Sequence, residues 1–127
     1  MKIIVDTSVL IDHLRGEKRA HALLAEAARS GHELWSVTPV RTEILAGMRD
    51  HERLQTLGLL NALRWLEVTV ELADAAGSLA RRFLRSHRGV DTMDYLVAAA
   101  VQHLEAQLYT LNIKHFPMFR GLRRPYD

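Results

Sequence analysis

The chain has no cysteine among its 127 residues, which excludes disulfide bonds and metal sites built from thiolates. Its seven histidines are scattered and form no HExxH or similar pair, so we expect no zinc site. No apolar stretch reaches the length of a membrane-spanning helix, and no charged-then-apolar leader precedes the first apolar run. These absences predict a cytoplasmic protein with no membrane partner.

The composition is that of an ordinary globular protein, which we expect to form a single domain over residues 1–127. Hydrophobic residues make up 48% of the chain and charged residues 25%, as in typical globular proteins. The formal net charge is only +2, but arginine is unevenly distributed. It crowds two segments: Arg81, Arg82, Arg85 and Arg88 in one, and Arg120, Arg123 and Arg124 in the other. Such clusters are typical of proteins with phosphate-rich partners, although a solvated helix face explains them equally well.

Short apolar runs alternate with longer amphipathic stretches along the chain. The short runs predict strands at residues 3–5, 34–37, 65–70 and 108–110. The longer stretches predict helices at 9–15, 17–29, from 38 onward, 52–60, 71–85 and 91–103. Alternating strands and helices predict an α/β fold of three layers, in which a mostly parallel central sheet is flanked by helices.

The first strand stops directly at an acidic residue. Ile3, Ile4 and Val5 form the apolar run, and Asp6 follows it. The carboxyl ends of strands are where ligands bind in open α/β sheets. Of the next two residues, Thr7 and Ser8, we expect one to cap the following helix and the other to orient Asp6 or its water. Taken alone, Asp6 is better explained as part of this cap, but further acidic residues downstream favour a functional role.

Four more polar residues lie where the apolar pattern predicts burial. The hydroxyl of Thr38 is expected to cap a helix whose first turn holds Pro39. Glu43 interrupts the apolar side of that helix, and Asn112 follows the last strand. Asp91 and Asp94 lie in the first turn of one helix, about 60° apart around its axis. Acidic residues in a first turn also offset the helix dipole. This alternative is strong for Asp91 and weaker for Asp94, whose neighbours are apolar.

Carboxylates gathered at one sheet edge repel each other and raise each other's pKa unless a cation joins them. A set of oxygen donors suits a hard ion, Mg²⁺ or Mn²⁺. Such an ion lowers the pKa of bound water and neutralises charge on a phosphate under attack. The acidic residues can hold a metal ion, and the arginines can bind a phosphate backbone. Together they indicate hydrolysis of nucleic acid.

The same residues resemble the motifs of a known family. Four segments match in order: IVDTSVLI at 4–11, VTPVRTEILAG at 37–47, DYLVAAA at 94–100 and YTLNIKHF at 109–116. Each segment alone is a weak signal, but four in order at fitting intervals are specific. Over nearly its whole length the chain resembles the PIN-domain ribonucleases of the toxin type, the VapC-like partners in bacterial toxin–antitoxin pairs.

This resemblance implies a PIN-like fold and an endoribonuclease that depends on Mg²⁺ or Mn²⁺. It also implies a homodimer that a cognate antitoxin holds inactive. Asp6, Glu43 and Asp94 match the family's metal-binding and catalytic acids. Asn112 stands where many members have aspartate and brings no charge, so Asp91 either supplies a further acid or belongs only to its helix.

Other family-like positions have simpler interpretations. We expect His115 and Phe116 to pack the loop after the last strand. Arg41 and Arg49 flank the helix of Glu43 and suit either RNA phosphate or surface salt bridges.

Two other functions fit parts of the pattern. In an aspartyl-phosphate phosphohydrolase a strand-end aspartate is the nucleophile, but the second acid usual two residues later is here Ser8. A non-catalytic module that binds RNA or a protein partner explains the arginines but leaves the acidic cluster without a role.

Overall fold

Four strands form the central sheet of the computed structural model, which describes residues 1–127. They are β1 (Lys2–Val5), β2 (Glu33–Val37), β3 (Arg64–Leu66) and β4 (Gln107–Tyr109). Their order across the sheet is β3-β2-β1-β4, and every neighbouring pair is parallel. All four strands therefore end at the same edge of the sheet.

β1 lies inside the sheet, between β2 and β4. Its residues Ile3, Ile4 and Val5 have no exposed surface. A parallel strand covered on both faces is expected to be a continuous apolar run, as this one is. The first polar side chain after β1 is that of Asp6, which the strand delivers to the carboxyl edge.

Six helices connect and cover the strands. They are α1 (Thr7–Leu14), α2 (Lys18–Arg29), α3 (Thr38–Ala46), α4 (Arg53–Ala62), α5 (Val70–Phe83) and α6 (Thr92–Leu104). α6 packs against β1, β2 and α5, and its Val97, Ala98 and Ala100 are fully buried. None of the six has the length and apolar character needed to cross a membrane.

The predicted α/β fold is confirmed, and the sheet is entirely parallel. The prediction of a third strand at 65–70 was wrong at its end, since β3 stops at Leu66 and Val70 already belongs to α5. The hydroxyl of Thr69 accepts the backbone N–H of Leu72 at 3.1 Å. This N-cap begins the helix and so ends the extended segment before it.

The predicted hydroxyl caps of α1 and α3 were also wrong. Thr7, Ser8 and Thr38 lie within these helices, and the N-cap positions belong to Asp6 and Val37, neither of which makes a side-chain cap hydrogen bond. In α3, Pro39 occupies the first turn, where its missing N–H needs no acceptor. In α1, the side chains that could cap make other hydrogen bonds.

Candidate active site

A cleft of about 310 Å³ opens at the carboxyl edge of the sheet. All five side chains selected from the sequence line it: Asp6, Glu43, Asp91, Asp94 and Asn112. They come from the end of β1, from α3, from the start of α6 and from the loop after β4. Parallel strand order brings them together, because it places these four chain segments at one edge.

Asp6 is only 4% exposed, and it receives two hydroxyl hydrogen bonds on the same oxygen. The Thr110 hydroxyl donates to Oδ2 at 2.7 Å, and the Ser8 hydroxyl donates to Oδ2 at 3.2 Å. Asp6 occupies the N-cap position of α1 without capping it. Its Oδ1 thus has no protein donor, and the interpretation of Asp6 as a mere helix cap does not hold.

Backbone groups fix the direction of both hydroxyls. The N–H of Leu111 donates to Ser8 Oγ at 3.0 Å, and the N–H of Asn112 donates to Thr110 Oγ1 at 3.0 Å. A hydroxyl has a single hydrogen, so each side chain accepts from the backbone and donates to Asp6. Thr110 was not among the residues selected from the sequence. The sequence signal that could have identified Thr110 is a hydroxyl residue within a strand predicted to be buried. In the structure Thr110 has no exposed surface.

Asp91 and Asp94 form a capping box at the start of α6. The N–H of Asp94 donates to Asp91 Oδ1 at 3.0 Å, and the N–H of Asp91 donates to Asp94 Oδ2 at 3.1 Å. Asp91 therefore has a structural role as the N-cap, in addition to lining the cleft. Asp94 Oδ2 also lies 3.2 Å from Nδ1 of His115, an ion pair when the histidine is protonated.

Burial raises the pKa of the Asp94 carboxyl to about 6. The N–H of Asp91 opposes this rise, the negative charge of Asp91 adds to it, and His115 opposes it. Asp94 is 7% exposed, and a carboxylate with so little water around it favours its protonated form. A cation in the cleft would favour the ionised form.

Glu43, Asp91 and Asn112 are exposed, contrary to the burial that the apolar pattern predicted for them. For Glu43 the expectation came from the apolar stripe of α3. Oε1 of Glu43 accepts the Thr7 hydroxyl at 2.9 Å, which links the starts of α1 and α3 at the cleft. Thr7 thus orients Glu43, while Ser8 orients Asp6. The expectation that one of the two hydroxyls orients Asp6 is confirmed for Ser8, whereas the expectation that the other caps the helix was wrong, because Thr7 binds Glu43 instead.

The donor set of the cleft fits a hard divalent cation. Asp6 and Asp94 each have one oxygen without a protein donor, and the carboxylate of Glu43 lies on the same cleft. No three acidic or histidine side chains are close enough to enclose a single ion. Closing all three carboxylates on one ion therefore requires side-chain rotation, which is easiest for the exposed Glu43.

The clustered arginines are exposed and make no salt bridges. The segment from Arg81 to Arg88 leads from the end of α5 to Asp91 at the cleft. Arg120 and Arg123 instead border a separate groove beside the start of β4. Arg41 also lacks a salt bridge and lies 5.3 Å from the centre of the Trp65 ring, a cation–π contact.

Comparison with known proteins agrees with the fold. A PIN domain family model matches residues 3–117. The chain is 45% identical over 123 residues to Ribonuclease VapC19 of Mycobacterium tuberculosis, covering 97% of this chain and 98% of that protein. It is 41% identical over 124 residues to Ribonuclease VapC10 of the same organism, covering 98% and 92% of the two chains.

Solved structures show the same fold at lower identity. A toxin–antitoxin complex from Klebsiella pneumoniae matches with a TM-score of 0.76 at 19% identity, covering 98% of both chains. VapBC-1 from nontypeable Haemophilus influenzae matches with a TM-score of 0.79 at 18% identity, covering 100% of both chains. From the family model and the near-full-length relatives, this chain belongs to the PIN domain family.

Proposed function

We propose that this chain is the ribonuclease toxin of a toxin–antitoxin pair, an endoribonuclease that hydrolyses RNA phosphodiester bonds with Mg²⁺ or Mn²⁺. The observation that carries the proposal is its 45% identity, over 97% of its length, to Ribonuclease VapC19. The cleft supports it with Asp6, Glu43 and Asp94, which come from three chain segments.

Asp6, Glu43 and Asp94 would hold the ion, with Asp91 or Asn112 as a further ligand. A bound Mg²⁺ or Mn²⁺ supplies a water of lowered pKa and offsets negative charge on the phosphate under attack. Ser8 and Thr110 keep the carboxylate of Asp6 in place by donating to one of its oxygens. Such supporting hydrogen bonds set the orientation of a metal ligand.

RNA capture would use the exposed arginines of the segment that leads to Asp91. Arg81, Arg82, Arg85 and Arg88 carry positive charge that no carboxylate of this chain neutralises through a salt bridge. Unpaired arginines attract a phosphate backbone without reading its bases.

The test is cleavage of RNA by the purified chain with Mg²⁺, with Mn²⁺ and with EDTA. We expect cleavage with either ion, none with EDTA, and none by the variants Asp6→Asn and Asp94→Asn. Asp74→Asn on the exposed face of α5 is the matched control and should cleave as wild type does. Hydrolysis of a phosphomonoester with intact RNA would favour the phosphohydrolase. RNA binding without cleavage under all conditions would favour the non-catalytic module.

We further propose a cognate antitoxin as partner and a homodimer as the working unit. The neighbouring structure that is itself a toxin–antitoxin complex supports the antitoxin, and the homodimer is what the resemblance to the family implies. Coexpression with the product of the adjacent reading frame should yield a stable complex that no longer cleaves RNA. Sedimentation of the isolated chain should give twice the mass of one chain, 14.4 kDa, and a monomer mass would contradict the homodimer.

A further inference from the structure

We infer that a cavity next to the cleft is a subsite that receives one unpaired base of the RNA and so decides where the RNA is cut. The inference rests on the proposed function, because it concerns the nucleotide beside the phosphate that the cleft would hold. It gives the cavity a ligand of one chemical class, a nucleobase attached to a phosphate backbone.

The cavity lies between α1, α3 and α4 and has a volume of about 130 Å³. It shares two lining residues with the cleft, Ile11 of α1 and Glu43 of α3. The two spaces are therefore neighbours, and one ligand can occupy both. When an RNA phosphate lies in the cleft, an adjacent nucleotide is the group that can reach the cavity.

The lining of the cavity combines apolar and polar side chains. The apolar ones are Ile11, Leu14, Ile44 and Met48. Ligand sites of this kind bind the apolar part of a ligand with such residues and fix its orientation with a few polar groups. A base has apolar faces and an edge of hydrogen-bond donors and acceptors, so it matches both parts of this lining.

The amide of Gln55 is held in place at the cavity. Its Nε2 donates to the backbone carbonyl of Leu14 at 3.3 Å, which ties α4 to the end of α1. A side-chain amide has two N–H donors and one carbonyl acceptor. One N–H and the oxygen of Gln55 thus remain for a ligand, and an amide can pair with the edge of a base through such a donor and acceptor.

Arg15 adds a second polar group to the lining. It is exposed and forms no salt bridge, although two acids, Glu43 and Glu52, line the same cavity. Oε1 of Glu52 instead accepts the N–H of Arg49 at 2.8 Å. The guanidinium of Arg15 is therefore free to donate to the acceptors on a base edge.

The size and polarity of the cavity favour a base over a segment of a protein partner. A helix is about 10 Å across and does not fit into this volume, so the occupant is a single base or a single side chain. An apolar side chain would offer no partner to Arg15, to Gln55 or to the hydroxyl of Thr56, which is only 2% exposed. Covering polar groups without giving them partners is unfavourable.

Methionine methyl groups allow the two spaces to be observed separately. Met48 lines the cavity, Met93 lines the cleft, and Met118 lines neither. The protein, with isotopically labelled methionine methyl groups, is titrated in EDTA with short RNA oligonucleotides and followed by nuclear magnetic resonance. The same oligonucleotides with one base removed at each position in turn are the matched ligands.

We expect intact RNA to shift the methyl signals of Met48 and Met93 and to leave that of Met118 unchanged. Removing the base at one particular position should abolish the shift of Met48 and keep that of Met93, because the ring current comes from the base. A shift of Met93 without a shift of Met48 for every oligonucleotide overturns the inference. A shift of Met48 caused by the antitoxin but by no RNA also overturns it, in favour of a peptide side chain.

Cleavage of RNAs that differ in one nucleotide beside the cut tests the same subsite. We expect wild type to prefer one base by about 10-fold or more in kcat/KM, the discrimination that a good pair of hydrogen bonds to a base provides. Gln55→Ala and Arg15→Ala should reduce this preference. Gln102→Ala removes an exposed amide near the end of α6 and, as the matched control, should keep it.

The outcomes separate this inference from the proposed function. Cleavage by wild type with no base preference at any position overturns the subsite and leaves the ribonuclease standing. If Met48 responds to one base but RNA stays intact with both Mg²⁺ and Mn²⁺, the proposed cleavage fails while the subsite stands.

Discussion

The hydroxyl of Thr110 donates to Oδ2 of Asp6 at 2.7 Å across 104 positions of the chain. Neither residue is appreciably exposed, at 0% and 4%. β1 and β4 are neighbours and run parallel, so the residues just beyond their ends come within reach of each other. The buried carboxylate of Asp6 thus depends on this distant hydroxyl in addition to the nearby hydroxyl of Ser8, and we expect loss of the distant one to affect both stability and activity.

We expect Thr110→Val to destabilise the protein by about 1–3 kcal/mol, because the substitution leaves a buried acceptor of Asp6 with one donor fewer. The same variant also leaves the N–H of Asn112 without its acceptor. Thr110→Ser keeps the hydroxyl and should therefore lose less of the free energy of unfolding. Urea unfolding measures the stability of both variants, and an ion titration of RNA cleavage measures the activity. Wild-type values for the valine variant would show that this hydrogen bond is dispensable.

Asp94→Asn should abolish cleavage while leaving the free energy of unfolding in EDTA, at pH 8, equal to or greater than that of wild type. Burial raises the pKa of Asp94, so its ionised form is disfavoured in the folded state, and the neutral amide removes that penalty. The amide oxygen can still accept the N–H of Asp91. Urea unfolding of the two proteins checks this, and a marked loss of stability would mean that the charge of Asp94 supports the fold.

Two variants, Asp91→Asn and Asn112→Asp, test which residue completes the proposed metal site. Asp91 Oδ1 already caps α6, and asparagine caps about as well. We therefore expect Asp91→Asn to keep both its stability and its Mg²⁺ requirement. The side chain of Asn112 lines the cleft and makes no hydrogen bond to the protein, so Asn112→Asp should lower the Mg²⁺ concentration needed for half-maximal cleavage. A strongly raised requirement in Asp91→Asn would instead make Asp91 a ligand.

Removing two arginines, Arg81 and Arg85, by substitution with alanine should weaken RNA binding most at low salt. Each lost phosphate contact reduces the slope of log K against log salt by about 0.7 for single-stranded nucleic acid. The matched control replaces Arg123 and Arg124, from the cluster whose segment does not lead to Asp91, and should change the slope less. If the two double variants show the same slope as wild type, both clusters are only solvated surface.

Because of the contact between His13 and His21, we expect the free energy of unfolding to decrease in mild acid. Their Nδ1 atoms are 2.9 Å apart across α1 and α2, and burial together with the charge of His21 lowers the pKa of His13. The unfolded chain then binds more protons than the folded one, so stability falls as pH decreases through the unfolded pKa of about 6.5. His13→Gln removes this titration. Unfolding free energies between pH 5 and pH 8 should therefore change less in the variant, and equal changes would contradict the argument.

The sequence by itself determined the class of fold and the acids of the cleft. Apolar runs of the length of Ile3-Ile4-Val5 suit only a buried strand, and the helical stretches between such runs imply parallel pairing. Asp6, Glu43 and Asp94 were recognisable because each lies next to a local backbone signal, a strand end or a helix start. These signals depend only on residues within a few positions of each acid in the sequence.

Only the tertiary structure decided which side chains bind these acids. Thr7 binds Glu43 across 36 positions, Thr110 binds Asp6 across 104 positions, and His115 meets Asp94 from a loop after the last strand. Local pattern also misjudged Glu43, which is exposed because α3 presents that side of its first turns to the cleft and the solvent. Hydrogen-bond partners are set by distances in space, and these distances exist only once β1 has paired with β2 and with β4.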